Sequence, residues 1–356
     1  MELTVKKPGM LTTVQDLGRW GFQSSGVPVA GAMDLPALKI GNAMLGNDEN
    51  AAALEVTLVG PELAVCGCGA AVFAGAELGF SVNGKKIGSW RAAVLQDGDV
   101  ISFAGPCGAG CRGMLCFAGG VDVPPVMGSR STFTRAKIGG VEGRALKAGD
   151  VIKTQEPAAL WKRLDGFAVD AASLPAHPKE EPLLIMKGLQ QDAFTEEGEK
   201  TLFESEYLIS AQSDRMGCRM EGPEVKHTES GADIVSDAIP LGAVQIPAHG
   251  MPIIMMADRQ TTGGYTKIGV LAPLSIAALA QKMPGETVRF RRAEIADGEA
   301  EQRRIKDAVE RVRQMRFSYV SRAKESPAAA PAAVSGHFIL TVDGKSYDIT
   351  CQEIKE

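Results

Sequence analysis

Very little in this sequence points toward nucleic acid, membrane or metal. The balance of charge is acidic, with a formal net charge of −5 and a pI near 5.6. No basic field is available to draw in a phosphate backbone, and no Lys/Arg cluster is interleaved with aromatics for base stacking, so nucleic-acid binding is not expected. Histidines number only four (His177, His227, His249 and His337), none at ligand spacing from another. The seven cysteines (Cys66, Cys68, Cys107, Cys111, Cys116, Cys218 and Cys351) form no CxxC pair with histidine at zinc-finger spacing. No metal site is expected, and the thiols read as small apolar packing residues in a reducing compartment. The opening Met1 to Pro8 lacks an apolar signal core. The longest apolar stretch, around Ile268 to Ala280, is broken by Pro273 and too short to cross a bilayer. A cytoplasmic protein without membrane contact is the expectation.

Aromatics are scarce at 5% whereas glycine is abundant at 41 residues. That combination favours tight turns and small-residue packing over long amphipathic helices, and a mainly β fold follows. At 356 residues the chain is long enough for two cores. Residues 1–172 read as a first β domain of short apolar runs cut by glycine, with a helical insertion between Met33 and Leu58. In that insertion Leu38, Met44, Leu45, Ala52 and Leu54 suit two short helices broken by Gly46-Asn-Asp48. The proline-rich, charged stretch Ser173 to Pro182 has no apolar period and reads as a connector. A second β-rich unit follows over 183–292. The turn-to-strand phrase Pro284-Gly-Glu-Thr-Val288 near its end is echoed at Asp97 to Ile101 and Ala148 to Ile152, a weak repeat that two related barrels would explain. A charged helix with a narrow apolar stripe (Ile305, Ala308, Val312, Met315) is predicted over 297–317, an Ala/Pro linker over 318–336, and a β-hairpin over 337–356 turning at Asp343-Gly344.

The familiar catalytic signatures are missing. There is no GxxxxGK[ST] loop, GxSxG elbow, HExxH or kinase motif. Gly108 to Gly113 spells GxGxxG but runs into the strand-like Met114 to Phe117, not the helix whose N-terminus would hold a pyrophosphate, so it reads as a hairpin loop.

Two polar knots carry the chemistry instead. In Ser213 to Pro223, Asp214, Arg215 and Arg219 sit in a glycine-punctuated loop, where two guanidinium groups can clamp a carboxylate or, equally, close an internal Asp/Arg ion pair. In Asp258 to Tyr265, at the mouth of the apolar run Pro252 to Ala257, Asp258 is a proton acceptor or an orienter of a neighbouring Arg. Gln260 and Thr261 suit an amide, Arg259 adds a cation, Gly263-Gly264 permits close backbone approach, and Tyr265 can donate a hydrogen bond. The plain alternative is a polar hairpin rim with a Gly-Gly turn. Gln245, within the apolar Ala243 to Ile246, is a buried amide in need of a partner. Thr13 to Gly21 and Gly26 to Asp34 can shape a pocket or a subunit interface, and Gly128 to Thr132 reads as a turn with substrate contacts. The two knots are expected to meet in one cleft.

These phrases, together with Leu54 to Pro61, Gly119 to Pro125 and Ser236 to Tyr265, resemble one family over roughly Leu3 to Arg292: the allophanate hydrolase subunit 2 family, also known as the C subunit of bacterial 5-oxoprolinase and as the Kip-antagonist protein. The resemblance implies two cyclophilin-like β-barrels and a stable partnership with a B-like, allophanate hydrolase subunit 1-like protein. It also implies either of two chemistries. One is ATP-dependent opening of 5-oxoproline to glutamate, with ATP used through the complex and a third oxoprolinase component as a further partner. The other is carboxyl transfer to urea, as in the carboxyltransferase part of urea carboxylase, with a biotin carboxylase and carrier as partners. The tail Phe338 to Tyr347 looks like the opening strands of a biotin carrier, but the biotinylated Met-Lys-Met is absent, so carboxybiotin would arrive on a separate carrier. In the first scheme Arg215 or Arg219 holds the substrate carboxylate, Asp258 and Tyr265 move protons, and Asp214 is a further candidate catalytic group. Gln245, Arg259, Gln260, Thr261, Gly263 and Gly264 line the site. A non-catalytic partner that sequesters a regulatory protein is the third alternative.

Overall fold

The computed structural model describes residues 1–157, 159–176 and 181–322, together with the backbone of the strands Gly336–Val342 and Lys345–Cys351. Met1–Ala323 forms one compact unit and Lys324–Glu356 a second. The chain is mainly β. Its four α-helices among the described residues are α1 (Leu35–Leu45), α2 (Glu196–Glu204), α3 (Pro273–Ala280) and α4 (Ile295–Arg322).

In the N-terminal half a seven-stranded sheet, built around Glu2–Lys7 and Glu62–Cys66, faces a five-stranded sheet built around Ala53–Thr57, Arg112–Phe117 and Gly69–Gly75. Leu3, Val5, Val65 and Ile101 from the first sheet pack against Leu54, Phe73, Leu115 and Phe117 from the second. The reverse face of the five-stranded sheet, with Val72, Met114 and Cys116, is covered by α1 and by Ala308, Val309 and Val312 of α4. Because the five-stranded sheet is buried on both faces, Ala53–Thr57 is buried at every residue, and its apolar positions show no alternation. The expected second helix of the insertion is therefore corrected: Ala52 and Leu54 belong to a central strand and its approach, and only α1 is helical.

The second half is a closed barrel whose seven strands run Leu183–Lys187, Lys267–Leu271, Ala243–Gln245, Ile253–Met255, Gly217–Glu221, Glu206–Ile209 and Thr287–Ala293 in order around the wall. The parallel pairing of Leu183–Lys187 with Thr287–Ala293 closes it. Cys218, Val244 and Ile254 point into its core. Their neighbours Arg219, Ile253 and Gln245 are register partners and so point outward together. A two-stranded arm, Asp233–Ala238 paired with Thr262–Tyr265, lies over that outward face.

α4 outruns its predicted span at both ends. Tyr319 donates a 2.6 Å hydrogen bond to the Asp165 carbonyl and stacks on Phe167, and Val320 is buried, so tertiary contact carries the helix into the expected linker. In the second unit Gly336–Val342 and Lys345–Cys351 pair antiparallel, with Val342 opposite Lys345. Asp343-Gly344 lies outside the described residues, as do His177 and the remainder of the linker. Among the described residues no helix is long and apolar enough to cross a membrane, and no group of three or more His, Cys, Asp or Glu is placed to hold a metal ion.

Candidate active site

The two polar knots meet through Arg215. Its Nε and Nη2 donate to both Asp258 oxygens at 3.1 Å, Nη1 donates to Glu55, and Nη2 also reaches the Gly31 carbonyl at 2.6 Å. The backbone adds Asp258 N to Arg215 O at 2.8 Å and Met256 N to Met216 O at 2.8 Å. Glu55 comes from the five-stranded sheet and accepts from Met33 N at 2.7 Å, so this one guanidinium ties the N-terminal half to the barrel. Burial pulls the Arg215 pKa down, but the flanking carboxylates reverse this and the net shift is upward. Burial pushes the Asp258 carboxyl up against the pull of Arg215, with Glu55 and Asp214 adding to the rise.

Beside this junction lies a cleft of about 290 Å³, walled by Trp20, Gln23 and Val29 from the N-terminal half and by Ile239, Leu241 and Arg259 to Thr261 from the barrel. Arg259 is only 6% exposed. Its Nε donates to the Ile239 carbonyl at 2.9 Å, and among the described residues no carboxylate pairs with it. Burial lowers its pKa to about 10, which leaves it a cation at neutral pH in want of an anion. Arg19, fully buried next to Trp20, bonds the Val126 and Ser131 carbonyls while Nη1 has no partner among the described residues. Its pKa is lowered by burial, with Asp16 and Asp258 acting against that.

The sequence motifs converge further. Asp16 accepts from Ser129 Oγ at 2.7 Å, from Ser131 Oγ and from Arg130 N at 2.6 Å, which fastens the Gly128 to Thr132 turn to the Thr13 to Gly21 loop. Asp214 caps its own loop through Met216 N and Gly217 N and pairs with Arg135 at 3.0 Å. Gly217 opens a strand and does not turn the chain. Gly263 and Gly264 also sit in a strand, with no left-handed conformation. A Cβ at Gly263 would meet Ile239 Cδ1 at 2.7 Å and Gln245 Nε2 at 3.0 Å, so close approach, not turning, is what requires glycine there. Gln260 and Thr261 line the cleft. Arg219 and Tyr265 are exposed. Arg219 stands two strands along the wall from Gln245, roughly 10 Å by strand spacing, on the same outward face of the barrel.

A larger cavity, about 530 Å³, opens elsewhere between Asp34, Trp90, Leu183, Leu274 and Val288. Its cations are already matched: Arg289 with Glu206 at 2.6 Å, Lys282 with Glu286 at 3.2 Å. Asp34 there caps α1 and accepts from Gln281. The smaller cleft holds the unmatched cation Arg259 together with Gln260 and Thr261 of the same motif, and is the better candidate. The sequence reading assigned no role to Glu55 and Lys267, both buried, and named Arg19 and Trp20 only within a phrase that can shape a pocket or a subunit interface. A lone acid in the apolar run Ala51 to Leu58, and a lone lysine before Ile268 to Leu271, were the available signals, since charged residues are rarely buried without a role.

Comparison with known proteins agrees with this architecture. The family described as carboxyltransferase domain, subdomain A and B, matches residues 25–292. The chain is 38% identical over 290 residues to the 5-oxoprolinase C subunit of Escherichia coli (strain K12), covering 81% of this chain and 90% of the relative. It is 31% identical over 307 residues to urea amidolyase of Lachancea kluyveri, covering 80% of this chain but 16% of the relative. The crystal structure of the K. lactis urea amidolyase superposes with a TM-score of 0.78 at 28% identity, over 86% of this chain and 20% of that one.

Proposed function

The chain belongs to the carboxyltransferase domain family, subdomains A and B, and from that premise we propose that it is the C-like component of a two-subunit complex that opens 5-oxoproline to glutamate with ATP. The observation that carries this reading is Arg259, a buried cation without a carboxylate partner among the described residues, in a cleft between the two halves. Its free donors suit the substrate carboxylate, and the Trp20, Val29 and Ile239 walls suit the ring. Arg215 and Asp258, matched to each other, hold the cleft together. Two relatives that carry the name of the 5-oxoprolinase C subunit, at 38% and 34% identity, favour this substrate. The Gly108 to Gly113 loop leads into the strand Arg112–Phe117, which makes no phosphate cradle, so ATP is assigned to the complex. The B-like partner would dock on the side of the arm, where Val235 is 93% exposed and Leu189, nearby in the fold through Gln190 and Asp237, is 89% exposed. Tyr265 and Arg219, exposed on the same face, would complete the site from there.

Carboxyl transfer to urea is the second reading, favoured by the urea amidolyase likeness and by the paired tail strands. It would take carboxybiotin from a separate carrier. The test is to purify the chain with its B-like partner and assay ATP-dependent glutamate release from 5-oxoproline beside carboxybiotin consumption with urea. Arg259→Gln should lower kcat/KM for 5-oxoproline about 10- to 100-fold, the worth of a charged hydrogen bond. An unchanged rate removes Arg259 from the site.

A further inference from the structure

The two walls of the Arg259 cleft are held very differently. On the barrel side Arg259 Nε donates to the Ile239 carbonyl at 2.9 Å, Ile239 N to Thr261 O at 3.0 Å and Asp258 N to Arg215 O at 2.8 Å, so that wall is cross-braced. On the N-terminal side all three lining residues, Trp20, Gln23 and Val29, come from one loop. Its ends are pinned together by Arg19 N to Val29 O at 2.7 Å and at Gly18, where a Cβ would stand 2.6 Å from Val29 Cγ1. Between those ends the hydrogen bonds are local. Trp20 Nε1 donates to Leu17 O at 3.0 Å, Gly21 N to Gln23 Oε1 at 2.8 Å and Gly26 N to Gln23 O at 2.9 Å. Among the described residues no hydrogen bond joins 20–28 to anything beyond 17–29.

A loop with joined ends that bonds to itself is an Ω loop, and few ties hold its tip to the body. Gly21 and Gly26 flank that tip in left-handed conformations, φ 93° and 76°. A Cβ on either would meet nothing within 4 Å, so both pivots have room to turn. The tip carries Phe22, 37% exposed, next to Trp20, 58% exposed. Two large aromatics are thus left to water beside a cleft whose Arg259 needs water kept out. An ion pair open to solvent is worth little, and the same pair shut away holds far more.

We propose that residues 21–26 form a flap that folds over a carboxylate ligand held by Arg259, with Phe22 closing against Trp20. The inference rests on the reading of that cleft as the substrate site. Closure buries both rings and shuts the Arg259 pair from water, which the braced barrel wall cannot do alone. Phe22 is not among the residues that line the open cleft. It therefore influences a bound ligand only when the flap comes in.

Amide hydrogen exchange on the full chain co-purified with its B-like partner, without ATP, tests this with 5-oxoproline as the probe. Saturating ligand should slow exchange of the amides of 21–26 by about tenfold or more. Phe22→Ala should abolish that protection and weaken 5-oxoproline binding, read by calorimetry, by about tenfold, the worth of one aromatic pair. Phe22→Tyr should restore both. Because Phe22 is partly exposed, both variants should keep a wild-type melting curve. Arg259→Gln, measured in parallel, reports on the cleft by itself. If Arg259→Gln weakens binding while ligand leaves wild-type exchange unchanged and Phe22→Ala binds as tightly as wild type, the flap is overturned and the cleft stands. Release of the B-like partner by Phe22→Ala, with wild-type exchange again unchanged by ligand, also overturns the flap and makes the two aromatics a subunit contact. Failure of the wild type to bind 5-oxoproline overturns the reading of the cleft, and the flap with it.

Discussion

A guanidinium can grip a substrate only with donors that the protein has left uncommitted. Arg215 has four hydrogen bonds to Asp258, Glu55 and Gly31, out of five N–H groups, so it acts as a clamp. Arg259, one residue past Asp258, keeps donors free beside the cleft. This difference separates two residues that look alike in sequence. Removing Arg215 leaves Glu55 and Asp258 buried and unpaired, and Arg215→Ala should cost about 3–5 kcal/mol at neutral pH. The pH dependence has a definite sign. The Asp258 carboxyl is raised by burial and held back by Arg215, so without Arg215 it rises further. A carboxyl with a raised pKa takes up its proton more readily folded than unfolded, so its protonation favours the fold as pH falls. The deficit of Arg215→Ala against wild type, measured by urea unfolding, should therefore shrink between pH 7.5 and pH 5. An equal deficit at both would show that the Asp258 charge is not the cause.

Elements were legible where local chemistry decides them and illegible where burial does. α1 announces both its ends: Asp34 accepts from Ala37 N at 3.0 Å, Pro36 sits in the first turn, and Gly46 closes the helix in a left-handed conformation. Asp34→Ala should cost about 1–2 kcal/mol, as loss of an N-cap does, and also strand Gln281 Nε2, which donates to Asp34 at 2.7 Å. Chemical denaturation would read this, and a cost below about 0.5 kcal/mol would mean that the cap is dispensable. The strand Ala53–Thr57 was misread because full burial on both faces erases the period of two. The end of α4 was misread because Tyr319 and Val320 find partners in residues 165–167 and the N-terminal core, which no local pattern encodes. The turn-to-strand phrases at Val100–Phe103, Val151–Thr154 and Thr287–Ala293 were legible, since Gly-Asp or Gly-Glu before a β-branched residue sets the turn and starts the strand together.

At the scale of the molecule, the sequence supplied the motif residues of the site but not their meeting. Asp16 with Ser131 and Glu55 with Arg215 are joined across 115 and 160 positions, and only the paired sheets and barrel bring them together. Such contacts also decide how the chain should unfold. Two halves joined by an ordinary polar interface would move and melt separately. Here Met33 enters the barrel core, Glu55 and Gly31 meet Arg215, and Gln281 Oε1 accepts from Cys111 N and Arg112 N at 3.2 and 3.1 Å while its Nε2 holds Asp34. Charges and caps of one half are completed by the other, so separation would bare them on both sides at once. The tryptophans make this testable: Trp20, Trp90 and Trp161 all precede the barrel. Their fluorescence follows the N-terminal half and, through Trp20 and Trp90, its junction with the barrel, whereas far-ultraviolet circular dichroism follows both halves throughout. The two signals should change with one midpoint in urea. Two midpoints would mean that the junction, and with it the cleft around Arg259, is held far more loosely than its buried hydrogen bonds require.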